Sequence, residues 1–426
     1  MSTPFDHFNF KKSELQVEGV KLSEVARKLG TPLYVYSKEA FLNPLRTLQA
    51  GLKEVDHLIC FAVKSNSNLA VLKMLGEAGA GMDLVSEGEL YRVSKAGISP
   101  RKIVFSGVGK TAPEMAKALE HGVYSFNVES VAELETLNAV ALQLKRIAPV
   151  ALRFNPDVDA KTHPYISTGL KKNKFGLNRK EILNVATNIR KLPGVSFNGI
   201  SIHIGSQILT LSPLNDAFER AKQLMLELNS LLPSPLTFLD LGGGVGITYK
   251  AEKAPSLEKY CQTILKHFGP KAKLKDPIKL LIEPGRTISG NAGVLVTKVL
   301  YRKQRGSKDF LVVDAAMNDL MRPALYGSYH DIQPVDQKHT KGTQKKTDIV
   351  GPVCESSDCF ASDRKLSARL ASGDFLAIMS AGAYGFSMSS NYNTRPRPAE
   401  ILVSDGKYRV IREREKYEDL IQGEKI

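Results

Sequence analysis

Along this chain, short apolar runs alternate with longer stretches in which apolar residues recur every three to four positions. The short runs fall at residues 58–63, 81–85, 102–105, 123–128, 149–154, 199–204, 237–241 and 279–282, and each has Gly, Pro, Asn or Ser at or within two residues of its ends. Runs of this length and composition predict buried β-strands. Helical periodicity lies between most of them, at 69–78, 87–96, 113–120, 130–144, 179–191, 214–232 and 256–268. A strand followed by a helix and another strand makes a parallel pair, because the crossover must carry the chain back. Eight such units over roughly 250 residues predict an α/β fold, a closed (β/α)8 TIM-like barrel.

Past Glu283 the pattern changes. Residues 293–301, 309–313, 374–379, 399–403 and 408–411 read as strands with no long amphipathic helix between them. This predicts a second, mostly antiparallel β domain. Near the N-terminus a short helix over 22–29 and a strand over 33–36 precede the barrel and are free to join that domain. The expected division is therefore 1–36 with the β domain, 37–285 as the barrel, and 286–426 as the β domain. Residues 351–363 and 381–397 read as irregular loops rich in Gly, Ser, Asn and Cys, the kind of segment that carries function more often than core.

Composition narrows the possibilities. A length of 426 residues suits two domains, and 42% hydrophobic with 24% charged residues suits a soluble globular chain. The net charge of +15 attracts anions. Its Lys and Arg are nevertheless spread along the chain, without a zinc-finger or RNP motif, so no nucleic-acid partner is expected. The densest basic stretch, 338–346, reads as an exposed polar loop. Four cysteines, Cys60, Cys261, Cys354 and Cys359, form no CxxC pair, which points to a reducing compartment and to no metal site. Residues 1–10 lack a signal-peptide pattern, and no apolar run approaches the ~20 residues of a membrane helix. A cytoplasmic protein without membrane contact is expected.

In a (β/α)8 barrel, chemistry sits at the C-terminal strand ends. Here those ends carry Lys64, Asp83, Ser106, Asn127, Arg153, His203, the run Gly242-Gly243-Gly244, and Glu283. Lys64 closes a fully apolar strand. It is either a rim residue whose ammonium reaches water or a desolvated amine, and the latter is a nucleophile toward carbonyls. The glycine run follows the seventh strand, where barrels often bind phosphate, and successive glycines let backbone amides approach an anion. It has neither the Walker nor the GxGxxG spacing. His203, flanked by Ile202 and Ile204, is either a satisfied core histidine or a flat surface for a ring, and Ser206 adds a hydroxyl. Glu283 closes the eighth strand and needs a positive or protonated partner. That partner is either Arg286 or a protonated pyridine nitrogen. Amine, anion cradle and carboxylate are together the three handles of pyridoxal 5'-phosphate.

These residues stand in recognisable blocks: Phe61-Ala62-Val63-Lys64-Ser65-Asn66, His163-Pro164-Tyr165-Ile166-Ser167-Thr168-Gly169, Lys174-Phe175-Gly176, His203-Ile204-Gly205-Ser206-Gln207, Gly242 to Gly244, and Glu283-Pro284-Gly285-Arg286. Beyond the barrel follow Met321-Arg322-Pro323-Ala324-Leu325-Tyr326, Gly351-Pro352-Val353-Cys354-Glu355-Ser356 and Gly382-Ala383-Tyr384-Gly385. Over nearly its whole length the chain resembles the basic amino-acid decarboxylases of the alanine-racemase-like (fold type III) pyridoxal-phosphate enzymes, within them those acting on meso-2,6-diaminopimelate.

The resemblance implies a carbon–carbon lyase that releases carbon dioxide and L-lysine, the last step of lysine biosynthesis. Ornithine, arginine and carboxynorspermidine are the alternative substrates. It implies that Lys64 holds the cofactor covalently, that His203 stacks on its ring, and that Glu283 pairs with its nitrogen. Ser206, Gly242, Gly243 and Gly244 bind its phosphate, with Asp83, Gly285, Arg286 and Tyr384 as further cofactor contacts. Arg286, Arg322, Tyr326, Glu355 and Tyr384 become substrate contacts, and Cys354 a catalytic proton donor. The same resemblance implies a homodimer with shared active sites, the Cys354-Glu355 loop reaching the partner's site. Arginine at 286 and 322 suits a substrate with a second carboxylate, which a guanidinium clamps bidentately.

Overall fold

The computed structural model describes residues 7–160, 173–272, 274–276 and 278–426. The block from His163 to Gly169 lies outside the described residues. The chain divides into two compact units, one of residues 43–247 and 253–287, the other of residues up to 42, 248–252 and 288–426.

The second unit, a sheet unit, opens with a small antiparallel sheet of β1 (Phe8–Lys11), β2 (Glu14–Val17) and β3 (Val20–Lys21). Helix α1 (Leu22–Leu29) and β4 (Leu33–Ser37) follow, then α2 (Lys38–Gly51) leads out of the unit. Its large sheet is built from β4 and the later strands: β13 (Gly293–Arg305), β14 (Lys308–Val313), β15 (Ile332–Pro334), β16 (Gln344–Val350), β17 (Cys359–Ser367), β18 (Phe375–Ile378), β19 (Ala399–Ser404) and β20 (Lys407–Arg412). The order is β17-β16-β14-β13-β4-β19-β20, with β18 pairing β13 and β15. The pairs are antiparallel except β14 with β16 and β19 with β4, so the mostly antiparallel expectation holds. Its core joins Leu15, Val17, Leu22 and Val25 to Val35, Val294, Met379 and Ile401.

The barrel unit holds β5 (His57–Ala62), β6 (Gly81–Leu84), β7 (Ile103–Phe105), β8 (Ser125–Val128), β9 (Ala148–Arg153), β10 (Val195–Ser201), β11 (Phe238–Asp240) and β12 (Lys279–Ile282). Every neighbour is parallel, and β12 pairs β5 to close the ring. The crossovers carry α3 (Leu69–Glu77), α4 (Glu87–Lys95), α5 (Ala112–His121), α6 (Val131–Gln143), α7 (Arg179–Asn188), α8 (Ser212–Leu231) and α9 (Leu257–Phe268), with α10 (Arg286–Ser289) after β12. Several helices start on a side-chain cap. Ser86 Oγ accepts from Glu89 N at 3.2 Å, and Thr111 with Glu114 forms a reciprocal box. Each such cap satisfies a backbone donor that the first helical turn leaves open.

The structure corrects three details of the pattern reading. Lys345 and Lys346 do not belong to a loop but stand exposed on β16. The region 351–363 is irregular only to Asp358, since Cys359 begins β17. Strand β17 runs Ser362-Asp363-Arg364-Lys365 through its middle. Among the described residues it pairs only with β16, through a ladder with register shifts, so backbone pairing rather than apolar alternation makes it a strand. The small sheet β1–β3 and helix α2, which contains Pro44, gave no strong pattern of their own. Among the described residues, no helix is long and apolar enough to cross a membrane.

Candidate active site

Side chains of a barrel strand alternate between the interior and the surrounding helices. The interior phase is marked by an apolar layer of Leu58, Cys60, Val104, Ala151, Phe238 and Leu281. Two residues further along the same phase the layer turns polar: Val104 leads to Ser106, Ala151 to Arg153, Phe238 to Asp240 and Leu281 to Glu283. Ala62 lies opposite Asp83, and Asn127 opposite Ala151, which sets Asp83 and Asn127 in this phase too. One periodicity therefore supplies both the core and the chemical groups above it.

Lys64 sits just past β5, in a 3-10 turn over Val63–Ser65. The strand is buried, but the lysine side chain is 39% exposed, and its Nζ bonds Asp83 Oδ2 at 2.8 Å. The rim reading of Lys64 is thus the geometric one, with a wholly buried counter-ion beneath it. Asp83 Oδ1 and Asn127 Oδ1 are buried without a hydrogen-bond partner among the described residues.

On the opposite wall, Asn127 Nδ2 donates to Asp240 Oδ2 at 2.9 Å, to Glu283 Oε1 at 3.2 Å and to Ser106 Oγ at 3.1 Å. Burial, reinforced by the negative charges of Asp240 and Asp83, holds the Glu283 carboxyl well above its ordinary range. Burial also raises Asp240, whose carboxyl hydrogen-bonds that of Glu283. Two buried carboxyls that close cannot both ionise, so they share a proton.

His203 Nδ1 accepts from Gly243 N at 3.2 Å, which requires a neutral nitrogen there. Burial first, then the charges of Arg153 and Lys64, push the imidazole well below its ordinary value. Arg153 donates to the His203 carbonyl at 3.3 Å, pairs with Glu129 at 2.6 Å, and lies 4.7 Å over the Phe175 ring. That scaffold fixes the wall on which the imidazole stands.

The glycine run turns at φ +64° for Gly242 and +108° for Gly244. A Cβ would lie 2.1 Å from Ile202 O at Gly242, 2.2 Å from Glu283 O at Gly243 and 2.3 Å from Gly205 O at Gly244. Neighbouring backbone therefore demands these glycines directly, in addition to any anion. Beside the turn, Arg286 is buried and donates to Ser206 Oγ through Nε at 3.3 Å and Nη2 at 3.2 Å. Gly285 packs against the Lys64 turn, where an added Cβ would lie 3.1 Å from Ala62 Cβ. Guanidinium, hydroxyl and backbone amides side by side suit a phosphate.

Lys64, Ser106, Asn127, Arg153, His203 and Glu283 line one cavity of about 210 Å³, small beside the several hundred Å³ of a typical ligand pocket. It takes one ring with short substituents. The donor set fits pyridoxal phosphate: an amine at the rim, an acid on the opposite wall, and buried acceptors on Asp83 and Asn127 still to be satisfied. A larger cavity of about 870 Å³, between Phe154, Arg179 and Arg220, shares Phe175 with it but carries none of the amine, imidazole or Glu283 groups.

The other named residues lie in the sheet unit. Arg322 and Tyr326 bound the short helix α11 (Arg322–Tyr326), the guanidinium 6.0 Å over the Tyr326 ring. Tyr384 stands at φ +55° after Gly382, whose close packing on Ser289 O (2.0 Å from an added Cβ) leaves no room for a side chain. Cys354 is exposed, and its N–H donates to Asn393 Oδ1 at 3.0 Å. Glu355 accepts from Ser357 Oγ at 2.8 Å and hydrogen-bonds Tyr392, which raises that phenol. Asp240, Glu129 and the scaffold role of Arg153 escaped the motif reading. Interior phase was the signal, since Asp240 follows Phe238 by two.

Residues 42–290 match the pyridoxal-binding domain of the pyridoxal-dependent decarboxylases. The chain is 49% identical to the diaminopimelate decarboxylase of Pseudomonas aeruginosa, over 99% of both chains. The crystal structure of the Helicobacter pylori diaminopimelate decarboxylase complexed with L-lysine superposes with a TM-score of 0.88 at 42% identity, over 94% of this chain and 98% of that one. The M. jannaschii diaminopimelate decarboxylase, in co-complex with L-lysine, gives 0.92 at 37% identity over 99% and 98%. With a lysine and a glutamate facing one ring-sized cavity, and likeness running from end to end, the chain belongs to the diaminopimelate decarboxylases, a branch of the pyridoxal-phosphate-dependent decarboxylases.

Proposed function

We propose that, in decarboxylating meso-2,6-diaminopimelate to L-lysine and carbon dioxide, the chain divides the work among the following residues. Bound pyridoxal phosphate supplies a carbonyl for amine chemistry and a ring that takes up the electrons left when carbon dioxide departs. Lys64 Nζ is the amine that would hold the cofactor through its carbonyl, and Asp83 Oδ2, 2.8 Å away, takes the Lys64 ammonium whenever that amine is not so engaged. Glu283 holds a proton at the ring nitrogen. His203 gives the ring a neutral flat wall. Ser206, Arg286 and the turn Gly242 to Gly244 take the phosphate, together with Tyr384 and Gly285.

Arg286, Arg322, Tyr326, Glu355 and Tyr384 contact the substrate, an arginine taking the carboxylate that is not lost and Glu355 the distal ammonium. The Cys354 thiol delivers a proton to the carbon that has lost carbon dioxide and recovers it from water. The protein works as a homodimer in the cytoplasm, the Cys354-Glu355 loop of each protomer serving the site of the other.

The observation that carries this reading is the pairing of Lys64 and Glu283 on one cavity of about 210 Å³. The test is carbon dioxide release by the purified holoenzyme from meso-diaminopimelate, ornithine and arginine. Release from diaminopimelate with lysine as the product is expected. A preference for ornithine or arginine would overturn the roles of Arg286 and Arg322, since neither carries a second carboxylate.

A further inference from the structure

Arg322 is 5% exposed, so its guanidinium is oriented by the protein before any ligand arrives. Its Nε donates to His330 Nε2 at 3.4 Å, and its Nη2 to Ser328 Oγ at 3.2 Å. His330 is wholly buried, and its Nδ1 lies 2.8 Å from the Met379 carbonyl oxygen at the end of β18. A carbonyl only accepts, so the ring carries its proton on Nδ1 and presents a lone pair at Nε2. That lone pair is what the Arg322 Nε–H meets. Tyr249 completes the frame, its ring 5.4 Å from the Arg322 guanidinium carbon and packed edge-on to the imidazole at 5.4 Å.

We propose that His330 is a positioning residue. Through the relay Met379 O, His330 and Arg322 Nε it fixes the plane of the guanidinium, so that Arg322 discriminates amino acids that keep a second carboxylate. A fork binds a carboxylate bidentately only when its plane is set. The inference deepens the reading of Arg322 as a substrate contact and rests on it. Decarboxylation removes one carboxylate of diaminopimelate and leaves the other on lysine. L-lysine therefore still reports on Arg322, whereas 1,5-diaminopentane, which has the same amines and no carboxylate, does not.

The experiment compares the holoenzyme with His330→Asn, His330→Gln and Arg322→Lys. Binding of L-lysine and of 1,5-diaminopentane is measured by calorimetry, and KM and kcat for diaminopimelate are measured alongside. Asparagine reaches the Met379 carbonyl but not the Arg322 Nε. Glutamine places an acceptor near the position of Nε2. His330→Asn is expected to weaken L-lysine and raise KM about tenfold, the scale of one hydrogen bond to a charged group. Diaminopentane affinity should stay unchanged and kcat should stay within about twofold. His330→Gln should recover most of the loss, a rescue that a purely structural role would not give. If Arg322→Lys weakens L-lysine but His330→Asn and His330→Gln bind it as tightly as the parent, His330 does not position the guanidinium. If Arg322→Lys itself leaves L-lysine affinity intact, the substrate reading of Arg322 fails, and the role of His330 falls with it.

Discussion

Asp240 and Glu283, on neighbouring barrel strands, are bridged by a single amide group: Asn127 Nδ2 lies 2.9 Å from Asp240 Oδ2 and 3.2 Å from Glu283 Oε1. The other Asp240 oxygen accepts from Gly242 N at 2.9 Å. One buried carboxylate thus ties the glycine turn to the acid assigned to the ring nitrogen. Burial and the neighbouring acids raise Glu283, so the folded chain binds a proton that the unfolded chain releases above about pH 4.3. Stability from this source is whole below that pH and is lost as pH rises through the raised value. Thermal melts of the cofactor-free protein should fall as pH rises from about 4.3 toward the raised value, and Asp240→Asn should flatten that slope by removing one of the two charges. Parallel slopes for parent and variant would refute the shared proton.

The same linkage runs the other way for His203. Burial, Arg153 and Lys64 lower its imidazole, so the unfolded chain takes up a proton below about pH 6.5 that the folded chain refuses. Its contribution to stability is full above that pH and is lost as pH falls below it. In the folded protein, ring nitrogen resonances of His203 should show a neutral imidazole, with no titration between about pH 7.5 and 5.5. A midpoint inside that interval would mean that the Gly243 hydrogen bond does not fix Nδ1 as an acceptor.

The barrel was legible because each of its strands is a short apolar run ended by a polar residue, and crossover helices make the order unambiguous. Lys64, His203 and Glu283 stood out because they end such runs. Asp240 did not, although it opens the glycine block, because a carboxylate inside a strand draws attention only when the interior phase is followed from Phe238. His330 carried even less signal. It follows Tyr329 in a polar stretch, and only the fold brings its ring to Arg322 and Met379. Strand β17 was hidden because Ser362 to Lys365 are polar on consecutive positions, and pairing with β16 rather than burial decides their conformation. Tertiary placement, not local pattern, decided each of these.

Cys354 is exposed on a loop whose neighbours hold it by backbone bonds, such as its own N–H to Asn393 Oδ1. Its thiol is therefore removable without repacking a core. Cys354→Ala should keep the covalently held cofactor, seen by mass after borohydride reduction, and lower kcat by about 10²- to 10⁴-fold, the range of a lost proton donor. Unchanged kcat would take the thiol out of the reaction.

In the sheet unit, Asp319 is buried and its carboxyl is pushed up to about 7, chiefly by burial, although Ala316 N donates to it at 2.8 Å. Folding therefore favours the protonated acid. This contribution is whole below about pH 3.9, the unfolded value, and is lost as pH rises through about 7. The loss is on the order of a few kcal/mol by pH 8. Asp319→Asn keeps an oxygen for Ala316 N and removes the titration, so its melting temperature at pH 8 should exceed that of the parent, with the difference shrinking as pH falls and vanishing only below about pH 3.9. A constant difference across that range would show that Asp319 does not titrate on unfolding.

Gly243 separates packing from anion binding most sharply. A Cβ there would lie 2.2 Å from the Glu283 carbonyl oxygen, a distance no contact tolerates, so Gly243→Ala must move either the glycine turn or the strand end that carries Glu283. In the proposed assignment both bear on the cofactor, the turn at its phosphate and Glu283 at its ring nitrogen. The cost to stability should be about 1–3 kcal/mol, the range of overpacking in a close-fitted core. Because the shift falls inside the binding site, pyridoxal phosphate affinity should drop by at least about tenfold, more than the same loss of stability would cause from a remote site. A Gly205→Ala variant is no control, since Gly205 faces the same turn. Leu224→Ala, in the buried face of α8, destabilises the barrel away from the turn. Calorimetric titration of the cofactor into both cofactor-free variants decides the matter. If Gly243→Ala binds the cofactor as tightly as Leu224→Ala, the turn is a packing device and the phosphate is held elsewhere, by Ser206 and Arg286.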